Sequence, residues 1–135
     1  MKKIFVNGCF DVLHRGHIDL FKYAKSLGDI LFVGIDTDER VKKAKGNERP
    51  FNNQDDRKYL LESIEYIDEV FLFEDNAALE NLIKSLTPDI MIIGSDWEGK
   101  EVIGGKYAKD LRFFKRIKGY STTKILEHSF NRRNI

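Results

Sequence analysis

Two histidines, His14 and His17, stand three residues apart with Gly16 between them, at the end of the stretch Val6 to His17. Further along come a lysine cluster (Lys42, Lys43, Lys45), then Arg57, Arg116 and a run of hydroxyls, Ser121, Thr122 and Thr123. All of these groups donate hydrogen bonds or carry positive charge. A pocket assembled from them binds a polyanion and stabilises charge that grows on it. No G-x-x-x-x-G-K-[ST] run is present, which excludes a P-loop NTPase, and no G-x-G-x-x-G, which argues against a dinucleotide redox cofactor. Read as metal ligands, His14 and His17 lack a third partner, since His128 lies in the tail.

Each residue also has a plainer reading. A histidine pair at this spacing can be structural, and the lysines can be one solvated stretch. Ser121 to Thr123 can be a helix cap and first turn, and Arg57 can simply support its own helix. Trp97 can pack or can stack on a base. Cys9 reads as a small buried residue lending its backbone.

Composition sets the frame. A length of 135 residues fits one domain, 1–135, with room for a real core. Hydrophobic residues at 41% and charged ones at 33% describe a globular chain. A formal net charge of +1 gives no electrostatic case for nucleic acid as a partner. One cysteine forbids an internal disulfide framework. No apolar run has membrane-spanning length and no signal-peptide core opens the chain, so no membrane role and a cytoplasmic location are expected.

The candidate groups need elements to hold them. Ile4 to Val6 reads as a first strand, and Leu20, Phe21, Ala24 and Leu27 fall at helical spacing after it. The histidines therefore lie where a strand turns into a helix, a junction whose first N–H groups and dipole suit an anion. Ile30 to Ile35 is a second strand, ended by Asp36-Thr37-Asp38. The basic, glycine-containing segment from Val41 to Pro50 reads as a mobile loop. Asn53 caps a helix expected to run to about Tyr66, with Leu60, Leu61 and Ile64 inward. Glu69 to Phe73 is a third strand. A helix from Asn76 to Leu86 follows and is stopped by Pro88. Asp89 to Gly94 makes a fourth strand, Leu111 to Phe114 a fifth, and Ser121 opens a last helix.

Strands apolar on both faces, alternating with amphipathic helices, predict an α/β domain: a Rossmann-like, doubly wound, parallel five-stranded sheet with helices on both faces. Ligands in such sheets bind beyond the carboxyl ends of the strands, where the strand order switches. The polar clusters all follow strands: Cys9 to His17, Asp36 to Lys45, Ser95 to Lys100, Arg116 to Thr123. They are expected to share one crevice.

These residues carry a resemblance. Gly8-Cys9-Phe10-Asp11 with His14-x-Gly16-His17, and Gly119-Tyr120-Ser121-Thr122-Thr123-Lys124-Ile125, resemble the two signatures of the cytidylyltransferase-like nucleotidyltransferases. Ser95-Asp96-Trp97-Glu98-Gly99-Lys100 and Arg116-x-x-Gly119-x-Ser121-Thr122-Thr123 resemble the glycerol-3-phosphate cytidylyltransferases. Val41-Lys42-Lys43-Ala44-Lys45-Gly46-x-x-Arg49-Pro50 and Glu74-Asp75 are more similar to the heptose-1-phosphate adenylyltransferases. Glu65 stands where the glycerol-3-phosphate enzymes usually carry an arginine.

The resemblance implies transfer of a nucleoside monophosphate to a phosphorylated alcohol, with release of pyrophosphate. CTP and glycerol 3-phosphate are the favoured pair here, and ATP with a heptose 1-phosphate the alternative. A nucleotide-binding regulatory module is the reading without catalysis. By the same resemblance His14, His17, Lys45 and Arg116 are catalytic. Gly8, Cys9, Phe10, Gly16, Gly94, Asp96, Trp97, Arg116, Tyr120, Ser121 and Thr122 hold the nucleotide. Asp11, Asp36, Lys42, Lys45 and Arg57 meet the acceptor. Mg²⁺ comes with the nucleotide, and the family suggests a homodimer.

Overall fold

A computed structural model describes residues 1–115. Arg116, Tyr120, Ser121, Thr122, Thr123 and the expected last helix lie outside the described residues. Five strands alternate with four helices: β1 (Lys3–Gly8), α1 (Arg15–Ser26), β2 (Ile30–Asp36), α2 (Asp38–Lys45), α3 (Gln54–Glu62), β3 (Glu69–Phe73), α4 (Asn76–Leu86), β4 (Ile90–Gly94) and β5 (Asp110–Phe114). The strands form one sheet in the order β3-β2-β1-β4-β5, and every pairing is parallel. This is the expected Rossmann-like sheet. Its order reverses between β1 and β4, so the crevice lies at the carboxyl ends of those two strands.

The central strands show why both faces are covered. On β1, Ile4 and Val6 enter a core with Phe21 and Ala24 of α1 and Leu61 of α3. Phe5, between them, points the other way and packs with Leu79 and Ile83 of α4. On β4, Ile90 and Ile92 join the first core and Met91 the second. Alternation along a strand apolar at every position puts a helix layer on each side.

Two expected boundaries differ. Val41 to Lys45, expected as loop, belongs to helix α2. The helix has one buried apolar residue, Val41, so the usual periodicity is missing. It is held by its ends instead. The Thr37 side chain accepts from the Arg40 N–H, Asp38 and Glu39 lie in the first turn, and Lys42, Lys43 and Lys45 lie in the last. That charge order complements the helix dipole. Helix α3 begins after the Asn53 cap as expected, but it ends at Glu62 rather than near Tyr66. There the Ser63 N–H turns back to the carbonyls of Tyr59 and Leu60, and Ile64 N–H follows to Leu61, closing the helix early.

The amino-terminal edge of the sheet is pinned far from the crevice. Lys3 N–H donates to Asp89 Oδ2 at 2.8 Å, and Lys109 Nζ lies 3.1 Å from Asp89 Oδ1. The Lys3 amide and the Lys109 ammonium together hold the Asp89 carboxyl below its ordinary range. A carboxyl with a lowered folded value adds stability above its unfolded value of about 3.9, and that stability is lost as pH falls through the folded value. Asp89→Asn should therefore lower the unfolding midpoint at pH 7, and the gap from the parent should close as pH drops below about 4. A thermal melt series across pH checks this. An equal gap at every pH would contradict it.

Candidate functional site at the carboxyl edge of β1 and β4

The chain leaves β1 at Gly8 and makes a tight reversal before α1. Phe10 has φ +49°, a left-handed backbone that an aromatic residue adopts only under constraint. Its ring supplies the constraint. The ring lies edge-on to Phe21 at 5.0 Å and to His17 at 5.4 Å, and a Cβ on Gly8 would meet it at 3.0 Å. Phe10, expected at the nucleotide, is thus placed by the packing of its ring. Its ring is buried beneath His17, leaving only its backbone to the turn.

His14 is the N-cap of α1, and its Nδ1 accepts from the Gly16 N–H at 3.1 Å. His17 reaches back, and its Nδ1 accepts from the His14 N–H at 3.2 Å. The two rings stack with centroids 3.8 Å apart and planes 24° apart. The expectation of open helix N–H groups is corrected. Two of those donors are already taken, each by an imidazole. With both Nδ1 atoms accepting, the hydrogen-bond pattern assigns the ring proton of each to Nε2. Both rings are thereby tied to the positive end of the helix.

The acidic and basic residues around this turn sort into pairs. Arg49 Nε meets Asp11 Oδ2 at 3.3 Å, Arg40 Nε meets Asp36 Oδ1 at 2.7 Å, and Arg57 Nη2 meets Asp38 Oδ1 at 2.8 Å. Asp11 also accepts from the N–H groups of Phe51 and Asn52 at 2.7 and 2.8 Å. These bonds place Asp11 and Asp36, both expected at the acceptor, against arginines. Asp11 is buried and saturated by its donors, and Asp36 is turned onto Arg40. Burial nevertheless pushes the Asp36 carboxyl above its ordinary range, with Arg40 pulling against it.

Arg57 departs furthest from expectation. Its side chain is 0% exposed. It donates to the carbonyls of Cys9, Asp36 and Asn52 at 2.8–3.0 Å as well as to Asp38. It is a positioning residue that joins the ends of β1 and β2 to the starts of α2 and α3. Asn52, which the sequence does not single out, completes this joint: its Nδ2 donates to the Asp11 carbonyl at 2.9 Å. Its only sequence signal is its place just before the Asn53 cap.

Lys42 and Lys45 make no ion pair among the described residues, whereas Lys43 lies 3.6 Å from Glu39. Lys45 faces the turn: its charge acts on both the Cys9 thiol and the Asp36 carboxyl. Burial raises the Cys9 thiol above its ordinary value, and Lys45 and Arg57 oppose that rise. With three aspartates matched to three arginines, Lys42 and Lys45 are left without an ion pair among the described residues.

On the other side, β4 ends at Gly94, where an added Cβ would meet nothing within 4 Å. The register Val6 opposite Ile92, continued to the strand ends, brings Gly8 level with Gly94. Ser95 to Trp97 form a single 3₁₀ turn there. Trp97 is 50% exposed and belongs to neither core, with Lys100 Nζ 5.8 Å from its ring centre. Among the described residues no group of three or more His, Cys, Asp and Glu could hold a metal, and no helix is long and apolar enough to cross a membrane.

The pattern of the family described as cytidylyltransferase-like matches residues 5–128. The chain belongs to the cytidylyltransferase-like family. Its match includes the histidine turn and the Gly94 edge, the features that the sheet brings together. This member is 49% identical over 124 residues to the bifunctional protein HldE of a Nitratiruptor species, covering 92% of this chain and 27% of that one. It is 46% identical over 126 residues to the bifunctional protein HldE of Helicobacter pylori (strain HPAG1), covering 93% and 27%. The chain thus spans about a quarter of the length of these curated relatives. Two solved structures share the fold. The lipopolysaccharide core biosynthesis protein of Thermoplasma volcanium has TM-score 0.64 and 24% identity, covering 87% of this chain and 99% of that one. The pantothenate synthetase of Thermus thermophilus has TM-score 0.61 and 12% identity, covering 87% and 56%. The family and these relatives support a nucleotidyltransferase, but not the glycerol-3-phosphate cytidylyltransferase subtype favoured by the Trp97 and Arg116 motifs.

In this cytidylyltransferase-like turn, one nitrogen of each ring, Nδ1, is committed to a backbone N–H. Asparagine at position 14 keeps a capping oxygen but has nothing at the Nε2 position. His14→Asn should leave the unfolding midpoint within a few degrees of the parent and lower turnover about 100-fold or more. Parallel melts and pyrophosphate-release rates check this. Full activity in the variant would remove Nε2 from the chemistry.

Proposed function

We propose that this chain transfers the adenylyl group of ATP to the phosphate of a sugar 1-phosphate, with a heptose 1-phosphate favoured, and releases pyrophosphate. The observation that carries the reading is the set of HldE relatives, which match over nine-tenths of this chain and stand with adenylyl transfer rather than CMP transfer. The Lys42 to Pro50 segment, similar to the adenylyltransferase branch, supports the same choice.

The chemistry asks little of the protein. A phosphate monoester is largely ionised near pH 7, its second pKa being about 6. Its oxygen attacks the α-phosphorus of ATP and forms the new P–O bond. The bond to the bridging oxygen of the β-phosphate breaks, and its electron pair leaves with pyrophosphate. No general base and no covalent nucleophile are required. What is needed is alignment of two anions and neutralisation of charge moving to the leaving group. His14 and His17 direct their Nε2–H donors at the triphosphate. Lys45, on the facing helix end, draws the acceptor phosphate against the electrostatic repulsion of the nucleotide. Gly94 leaves room beside the base, and Asp96 and Trp97 border it. Arg116, Tyr120, Ser121 and Thr122 extend the same grip on the phosphates in this proposal.

A divalent ion fits this site as Mg²⁺ held by the triphosphate's own oxygens and water. The donor set agrees with that arrangement, because Asp11, Asp36 and Asp38 are each matched to an arginine. When bound, the ion neutralises phosphate charge. The residues named above align the two substrates.

The competing pair is CTP with glycerol 3-phosphate, favoured by the Ser95 to Lys100 motif. A matrix of four nucleoside triphosphates against sugar 1-phosphates and glycerol 3-phosphate, scored by pyrophosphate release, separates the two. ATP with a sugar 1-phosphate should give the highest rate. A maximum at CTP with glycerol 3-phosphate would reverse the assignment.

A further inference from the structure

We propose that Arg49 is a second anion contact for the acceptor, working beside Lys45 and selecting acceptors by their phosphate; this rests on the nucleotidyltransferase reading above. Gly46, with φ +99°, ends α2, and the Arg49 N–H bonds back to the Gly46 carbonyl at 3.2 Å. The chain therefore turns directly after Lys45 and delivers Arg49 to Asp11. There the guanidinium is only partly used. Its Nε makes one long contact, 3.3 Å, to a carboxylate that two main-chain N–H groups already serve. Its Nη2 is buried and has no hydrogen-bond partner among the described residues. No other buried side-chain nitrogen or oxygen of the described residues shares that condition.

Folded proteins rarely leave a buried donor unpaired, and a charged donor least of all. The partner such a group lacks is an anion of forked geometry, a phosphate or a carboxylate. The side chain as a whole is still 14% exposed, so an anion arriving at that edge takes up the unused N–H once the guanidinium turns to meet it. The position of Arg49 decides which anion. Its neighbours Phe51 and Asn52 lead into α3, which packs against β2 and β3, across β1 from β4 and Gly94, where the proposal places the nucleotide base. Arg40 and Arg57 offer no comparable site. The first is held between Asp36 and Asn76, and the second is wholly enclosed.

The test uses the full chain with Arg49→Gln and Arg49→Lys. Calorimetry with inorganic phosphate reads the anion contact without any turnover. Steady-state kinetics then read KM separately for ATP and for the sugar 1-phosphate. Arg49→Gln should weaken phosphate binding and raise the acceptor KM by about tenfold or more, while the ATP KM stays within about twofold. Arg49→Lys, which keeps the charge without the fork, should recover part of the loss. Unchanged phosphate binding in Arg49→Gln, or equal rises in both KM values, would overturn the inference. Failure of the parent protein to use any sugar 1-phosphate would instead defeat the proposed acceptor. The phosphate calorimetry would still decide the role of Arg49.

Discussion

The structure depends on one reciprocal contact: each histidine of the α1 turn accepts a backbone N–H through Nδ1. The contact does two jobs at once. It satisfies donors that a helix start leaves open, and it fixes both rings in one tautomer and one orientation. A preorganised donor stabilises developing charge far better than one that must reorient during the reaction. Phe10 lies behind the pair in a left-handed backbone, held by the core and by the space over Gly8. Packing beneath the turn thereby sets the geometry above it.

Around that turn, charge is arranged so that only the useful part is left over. Three arginines neutralise Asp11, Asp36 and Asp38, and their bonds tie four segments together. A buried charged pair gives little net stability, since desolvation offsets the attraction. Here the pairs serve position instead. They hold the loop after α2 against the loop after β1 and leave Lys42 and Lys45 without ion pairs among the described residues. A fold that placed the same residues without pairing them would present the acceptor with aspartates as well as lysines.

Much of this is legible in the sequence. The apolar runs of β1 to β5 name the sheet, and the two-histidine turn with Gly8 and Gly16 names the site. The family follows from those motifs. Helix α2 is not legible, because Val41 alone is buried and the helix is held by caps and charge order rather than by an apolar stripe. The true roles of Arg57, Asp11 and Asn52 are hidden for a different reason. Apart from the Arg57–Asn52 bond, their partners lie between 19 and 48 residues away along the chain, and composition carries no trace of such pairings. The base preference is divided in the sequence, because the Trp97 motif and the Val41 to Pro50 motif point to different branches, and comparison with relatives favours the second.

The central claim is that both imidazoles carry their ring proton on Nε2 because backbone N–H groups hold their Nδ1 atoms. Nitrogen-15 spectra of the ring nitrogens of His14 and His17 at neutral pH test it directly. The account predicts the Nε2–H tautomer in both rings, with ATP perturbing the Nε2 signals and leaving the Nδ1 signals nearly in place. An Nδ1–H tautomer in either ring, or Nδ1 signals that shift as far as Nε2, would contradict it.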